Sequence, residues 1–483
     1  MQSAAGCAAP LPPEQPAASL EQHLARAPLC RTQWLVWGLA AAGKFLEGLI
    51  VFLGGLVLPL LDGSFALSPL QRGAVAAAGL LGILVGSLAF GGLADRWGRR
   101  PVFIAEMALL LVGLLLAALS PGPWWLIAAL LVIGLALGAD YPTAHLVIAE
   151  CLPAAVRGRL VLAAFSFQAL GVVSGTAPVA LVLQLAPRLE AWRLIYLGPA
   201  LPVLLLTLLR WRLPESSHWL LSRGQVGAAE LALARLLERP GLRLLALPEA
   251  AASAPVPGGE VLRQLLGPRW RRATTLAAVP WFLQDLATYG IGIFLPLLIG
   301  GALGAATGGA PSGGQGGDLI AVDRLAARAS LLIDPALLAG FAVAIAGTDR
   351  WGRMPLQIGG FLGCAAGLLL AAAGAGGGAG PAALPLLVAG LVLFQFMTNL
   401  GPNAQTYLLA GELFPTAMRG RAAGLAAATG KVAAVLSAFL LPLGLQRWGA
   451  APLLVSLALS SLLGAAVTWR CRIETNGAVL QDS

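Results

Sequence analysis

The strongest constraint on this chain is a succession of apolar runs, many of 20 residues or more, between residues 33 and 470. About 20 apolar residues is the length at which an α-helix crosses a bilayer, where no water can satisfy an exposed backbone group. Only 11% of the 483 residues are charged and 58% are hydrophobic, against about 25% charged in a soluble domain. The chain therefore reads as a polytopic membrane protein. Its net charge of +9 would hint at nucleic acid in a soluble protein. Here it reflects arginines in short loops, and no nucleic-acid partner is expected. Five scattered cysteines and three isolated histidines suggest neither a disulfide framework nor a metal site. There is no phosphate-cradling ATP loop and no nucleophile–base pair, so neither ATP drive, a cofactor nor an enzyme is expected. Residues 1–30 lack a basic start followed by an apolar core, so no cleavable signal is expected.

Twelve runs are legible, roughly 33–61, 74–95, 101–120, 123–150, 159–186, 192–212, 273–303, 324–347, 355–375, 381–410, 419–446 and 450–470. They predict an all-α membrane protein with a six-helix half over 33–212 and another over 273–470. A polar central loop over 213–272 joins them, with amphipathic helical stretches such as Ala228–Glu238. The Ala/Pro/Gln-rich stretch 1–32 is expected to be a disordered tail, and 471–483 a short second tail. The short loops after spans two, four, eight and ten carry nine arginines, and those on the other side six. By the positive-inside rule the first set and the central loop are cytoplasmic, which puts both termini there, in a cell (inner or plasma) membrane. The Gly-rich loop 304–318 is expected outside and flexible.

The halves repeat each other. Gly92-Leu-Ala-Asp95-Arg96-Trp97-Gly98-Arg99-Arg100-Pro101 recurs as Gly347-Thr-Asp349-Arg350-Trp351-Gly352-Arg353-Met-Pro355. Glu150 stands seven residues before Arg157, and Glu412 seven before Arg419, at corresponding span ends. A duplicated six-span unit is the layout of transporters that rock two halves about a midplane site. In such a layout the acids Asp95 and Asp349 would accept bonds from helix N-termini or from a neighbouring arginine, closing a gate in one state only. Asp95, Arg96, Arg99, Glu150, Arg157, Asp349, Arg350, Arg353, Glu412 and Arg419 form this gating set; plain topogenic charge is the alternative.

Within the spans, polar residues are few and therefore informative. Trp281, Asp285 and Tyr289 recur at i, i+4, i+8 on one helix face. An acid so placed normally faces a protein cavity, not lipid; packing with a satisfied helix contact is the bland alternative. Of 31 basic residues only Lys44 and Lys431 are lysines, and both lie inside apolar runs. An ammonium can lose its proton where a guanidinium cannot. Lys44 lies about 16 Å into its span at 1.5 Å per residue, and its i, i+3 spacing from Glu47 allows a pair. No arginine is expected mid-span. Glu106 reads either as part of a proton path or as an interfacial acid. His145 reads as a bystander, His218 as a surface residue, and Gly82, Gly86, Gly171 and Gly175 as close helix packing.

The duplicated Asp-Arg-x-Gly-Arg loop resembles the signature of the major facilitator superfamily, and Leu213-Pro214-Glu215-Ser216-Ser217 resembles the Pro-Glu-Ser motif of its sugar-porter-like branch. Gly138-Ala-Asp140-Tyr141-Pro142 with Gln168, Asn399-Leu-Gly401-Pro402-Asn403, and Ala427-Ala428-Thr-Gly430-Lys431 resemble the phosphate:proton symporter family. The resemblance implies the major facilitator fold, twelve spans in two pseudo-symmetric bundles. It implies a phosphate site of Tyr141, Gln168, Trp281, Asp285, Tyr289 and Asn403. It places proton handling on Glu47, Asp140 and Lys431, and Lys44 departs from the family pattern.

The expected function is proton-coupled import of an anion, inorganic phosphate first, by a monomer in the lipid bilayer. Burial disfavours a charged carboxyl, so a proton shared between Asp285 and phosphate would couple the two. The alternatives are an organic anion, a sugar or other polar solute, or a non-transporting membrane sensor on the same fold.

Overall fold

The structure is a computed structural model that describes residues 19–26, 28–51, 53–175, 182, 185, 190–244, 258–307, 316–376 and 383–476. Every extended element among them is a helix. The first six spans are Arg31–Val51 with Leu53–Phe65, Pro69–Trp97, Arg99–Ala118, Pro123–Cys151, Ala154–Ser174, and Ala191–Leu197 with Ala200–Arg210. The second six are Arg271–Thr307, Gly316–Trp351, Arg353–Gly376, Ala383–Leu400 with Pro402–Glu412, Thr416–Trp448 and Ala450–Cys471. Nine of the described helices are long and apolar enough to cross a membrane. The expected loop 304–318 is narrower, because helix runs to Thr307 and resumes at Gly316; its middle, 308–315, lies outside the described residues.

Prolines break two spans, one of them where polar groups collect. Pro402 has no N–H to continue the helix from Leu400, and the break leaves Asn399, Asn403 and Thr406 around it. Pro199 divides the sixth span in the same way. Exposed tryptophans mark the two ends of the bundle: Trp97, Trp211, Trp351 and Trp469 at the arginine-rich end, Trp124, Trp125 and Trp448 at the other. Indole rings favour the membrane–water interface, so the two sets delimit a bilayer.

The halves meet where span two crosses span eleven and span five crosses span eight. Small residues make the first crossing possible. A β-carbon on Gly91 would stand 2.3 Å from the Gly420 carbonyl oxygen, and one on Gly424 would stand 2.3 Å from that of Ser87. Inside the first half, a β-carbon on Gly82 or Gly86 would stand 2.4 or 2.2 Å from a span-four carbonyl oxygen, and one on Gly171 would stand 2.1 Å from that of Phe45. Without a hydrophobic drive in lipid, such backbone contact supplies much of the packing energy. Gly91→Val is therefore expected to lower the melting midpoint of the solubilised protein, overpacking costing about 1–3 kcal/mol. Gly73→Ala, with nothing within 4 Å of the added carbon, should leave it unchanged or raise it. Equal midpoints would remove the argument.

The amphipathic stretches of the central loop form helices Ser217–Ser222, Val226–Leu236 and Gly258–Leu266. Part of the stretch expected to be a disordered tail is folded: Leu20–Arg26 is a helix that buries Leu20 and Leu24. Its Glu21 pairs with Arg157 at 2.9 Å, and Thr32 bonds Glu238. Two leucines on one face and an acid aimed at an arginine are enough to dock seven residues that composition alone assigns to disorder.

Candidate functional site

A buried polar cluster lies midway along the spans. From the first half, Lys44 contacts Glu47 at 2.8 Å and Asp140 at 2.7 Å. Gln168 donates to Glu47 at 2.8 Å and to the Tyr141 hydroxyl at 3.2 Å. From the second half, the Lys431 ammonium donates to Asp285 and to the Tyr289 hydroxyl, each at 2.9 Å. Gly430 leaves room for the span-seven stripe, since a β-carbon there would stand 2.7 Å from Trp281 and 2.9 Å from Asp285. The two ammonium groups come from opposite halves, yet lie 4.4 and 4.7 Å from the centroid of the same Tyr141 ring. Trp281 packs against Tyr141 at 6.2 Å. Asn403 stands apart from this set and donates to Asn399 at 2.8 Å.

Towards the arginine-rich end, the cluster is floored by rings from both halves. Phe165 and Tyr407 stack at 4.2 Å and 10°, Phe341 meets Phe165 edge-on at 5.6 Å, and His145 lies 4.9 Å from Tyr407. All four side chains are buried. Gln168, Thr288 and Tyr289, on the other side of the cluster, are half-buried. The site is thus sealed more tightly towards its arginine-rich end.

At that end the duplicated loops form two copies of one network. Gly98 and Gly352 take positive φ, +104° and +87°, which a side chain would strain. In the first copy Arg99 pairs with Asp95 and Glu150, and Glu215 accepts from the backbone N–H groups of Arg99 and Arg100. Ser216 donates to Glu150. Burial pushes the Glu215 carboxyl up, against the pull of the Ser216, Arg100 and Arg99 amides. In the second copy Arg353 pairs with Asp349 and Glu412, Glu474 accepts from the N–H groups of Arg353 and Met354, and Thr475 donates to Glu412 at 2.6 Å.

Among the described residues, five bonds tie the copies across the seam. Asp95 accepts from the amides of Gly420 and Arg421 at 3.2 and 2.9 Å. Asp349 accepts from that of Arg159 at 3.0 Å. Arg419 pairs with Glu150 at 3.2 Å, and Arg99 donates to the Thr416 carbonyl at 3.3 Å.

A family model described as sugar (and other) transporter matches residues 38–310 and 328–482. The chain belongs to that family. Over 452 residues, 93% of each chain, it is 30% identical to the inner membrane metabolite transport protein YgcS of Escherichia coli. It is 28% identical over 459 residues, 85% of this chain and 84% of the other, to inorganic phosphate transporter 1-2 of Oryza sativa subsp. japonica. Its fold matches the solved proton:xylose symporter XylE bound to 6-bromo-6-deoxy-D-glucose, with a TM-score of 0.73 at 21% identity, over 93% of this chain and 98% of that one. The chain is therefore a multi-pass membrane transporter of the major facilitator fold and not an enzyme.

Within this sugar (and other) transporter, the structure brings Lys44, Glu47, Asp140, Tyr141 and Gln168 together in one half and Trp281, Asp285, Tyr289 and Lys431 in the other. Asn403 does not join them among the described contacts. Of the gating set, Arg157 turns to Glu21 instead of to the second half, and the Arg96 and Arg350 side chains are exposed. Two expectations need correction. His218 is buried, 3.8 Å from Glu21, because the central-loop helices fold under the bundle. An arginine does enter the spans: Arg210 is fully buried and bonds Glu106 at 2.6 Å. It falls inside the expected sixth run, 192–212, two residues from its end, and was given no role from sequence. Tyr407 and the Glu474-Thr475 pair were also missed. The pair's signal was present, an acid–hydroxyl dipeptide just after span twelve matching Glu215-Ser216 just after span six.

Proposed function

We propose that this transporter couples the entry of a small anion, inorganic phosphate first, to the entry of protons by alternating access. The arginine-rich end is assigned to the cytoplasm, together with both termini, and the cross-seam bonds act there as the gate, closed in this conformation. The observation that carries the reading is Lys431 held between Asp285 and Tyr289, with Lys44 against the same Tyr141 ring. An anion that draws Lys431 away from Asp285 leaves a carboxylate alone in a low dielectric, and the site neutralises it by taking a proton. Anion binding and proton binding then assist each other. Tyr141, Gln168, Trp281 and Tyr289 offer donors to phosphate oxygens, and the similarity to the rice phosphate transporter points the same way.

The rings support a second reading. Tyr141, Trp281, Tyr407 and Phe165 form a continuous aromatic set around the lysines, which suits a planar organic anion better than phosphate. Uptake of radiolabelled phosphate into proteoliposomes, with and without an inward proton gradient, tests the first reading. Accumulation that disappears when the gradient is collapsed is expected. No uptake by folded protein would transfer the proposal to organic anions.

A further inference from the structure

The two acids at the centre of the duplicated networks hold matching partners, with one exception. Glu150 accepts the Arg99 guanidinium across both its oxygens, a hydroxyl from Ser216 on Oε2, and Arg419 of the other half on Oε1. Glu412 accepts the Arg353 guanidinium across both its oxygens and a hydroxyl from Thr475 on Oε2. Its Oε1 has no counterpart of Arg419 among the described contacts. The repeat matches Arg157 to Arg419, since each stands seven residues after its acid. Both arginines begin alike, each bonding the carbonyl five residues before it, Leu152 for Arg157 and Phe414 for Arg419. They then part. Arg419 crosses the seam, and Arg157 turns to Glu21 of the helix Leu20–Arg26.

Distance from the second half does not explain the difference. The Arg159 amide donates to Asp349 at 3.0 Å. A β-carbon on Gly158 would run into Asp349 and into the same Arg353 guanidinium that Glu412 holds. Arg157 therefore sits on the seam, and Glu21 and Glu412 compete for it. Its guanidinium is also only partly used, because Nε is buried without a hydrogen-bond partner, whereas an arginine fork can hold a carboxylate with two nitrogens at once. The helix that supplies Glu21 is seated wholly on the first half and the central loop. Leu20 and Leu24 are buried, His23 bonds the Arg243 carbonyl at 2.9 Å, and Glu21 lies 3.8 Å from His218.

We infer that the helix Leu20–Arg26 sets how readily the arginine-rich end opens: through Glu21 it withholds Arg157 from Glu412, and release of Glu21 hands the arginine over as a second cross-seam ion pair. The inference rests on the gate reading above. A contact kept in both states favours neither, and a contact made only when the halves meet favours closure. The Glu21 bond lies within one half and persists on opening, while a bond from Arg157 to Glu412 does not. The docked helix thus keeps the gate loose, and its release tightens it.

Distances between spin labels at positions 96 and 350, read on the full chain in lipid nanodiscs, test this. Glu150→Gln removes the existing cross-seam ion pair and populates the open state, so the test is made in that background. There Glu21→Gln, which frees Arg157, should lower the open fraction about threefold, the scale of one partly exposed ion pair. With Arg157→Gln also present, Glu21→Gln should have no effect, as a double-mutant cycle requires of residues acting through one contact. An open fraction that Glu21→Gln leaves unchanged or raises, or lowers equally without Arg157, overturns the inference while the gate stands. A distance that Glu150→Gln does not lengthen overturns the gate reading and the inference with it. If Glu150→Gln does not fold, the same cycle is read without it, and an open fraction that Glu21→Gln does not lower overturns the inference.

Discussion

Asp285→Asn is expected to abolish gradient-driven uptake while the protein still folds. The substitution keeps the shape of the side chain but removes the charge that Lys431 faces at 2.9 Å. Both partners are almost fully buried, so the ammonium left behind has no carboxylate near it among its described contacts. Breaking one side of a buried pair costs about 3–5 kcal/mol, which is roughly two to three and a half decades in an equilibrium. The cost can be met in two ways, and both stop coupling. The lysine loses its proton and no longer attracts an anion, or it holds the anion so firmly that release stalls. Tyr289→Phe removes the neutral partner of the same lysine and is expected to reduce uptake by less, because a neutral hydrogen bond contributes about 1 kcal/mol. Initial rates of phosphate uptake against pH would separate these variants. PH-dependent uptake by Asp285→Asn equal to that of wild type would remove Asp285 from the coupling scheme.

The second large effect is expected at Glu150. Its carboxylate serves three elements at once: Arg99 of span three, Ser216 of the central loop, and Arg419 across the seam. Glu150→Gln leaves two buried guanidinium groups facing a neutral amide, a loss again of about 3–5 kcal/mol. The state in which the halves separate at this end does not need the Arg419 contact, so the loss falls mainly on the closed state. Spin labels at positions 96 and 350, both exposed and one in each half, should show a longer distance in Glu150→Gln than in wild type. Transport should fall at least tenfold, since alternation needs both states populated. An unchanged distance would reduce Glu150 to a fold contact.

The architecture was legible in the sequence because apolar length, loop arginines and two copies of one charged loop are all local signals. The buried polar cluster was legible where a polar residue stood within an apolar run, as Lys44, Asp285 and Lys431 do. It was less legible where the signal depended on reach. Arg210 sits at a span end by number, yet its long side chain turns back to Glu106 and Asp140. Tyr407 looks like one more apolar residue until its ring is seen stacked on Phe165. The Leu20–Arg26 helix was hidden by composition, because its stability comes from the surface it docks on. The pairing of Arg157 with Glu21 also breaks the symmetry that the sequence repeat implies: Arg419 reaches into the other half, and its counterpart is held by the N-terminal helix.

The matched capping groups Glu215-Ser216 and Glu474-Thr475 have a consequence for how the protein is made. The first half receives its closing acid from the segment that directly follows its sixth span. The second half likewise waits for Glu474, 121 residues after Arg353, or roughly 6–24 s at ribosomal rates of about 5–20 residues per second, but here the cap lies at the far end of the last span. Until then the amide groups of Arg353 and Met354 and the carboxylate of Glu412 lack partners that the finished protein supplies. A ribosome stalled near residue 470 would release a chain with every span inserted and one latch missing, so quality control in the membrane could distinguish complete from truncated copies by a loose second half.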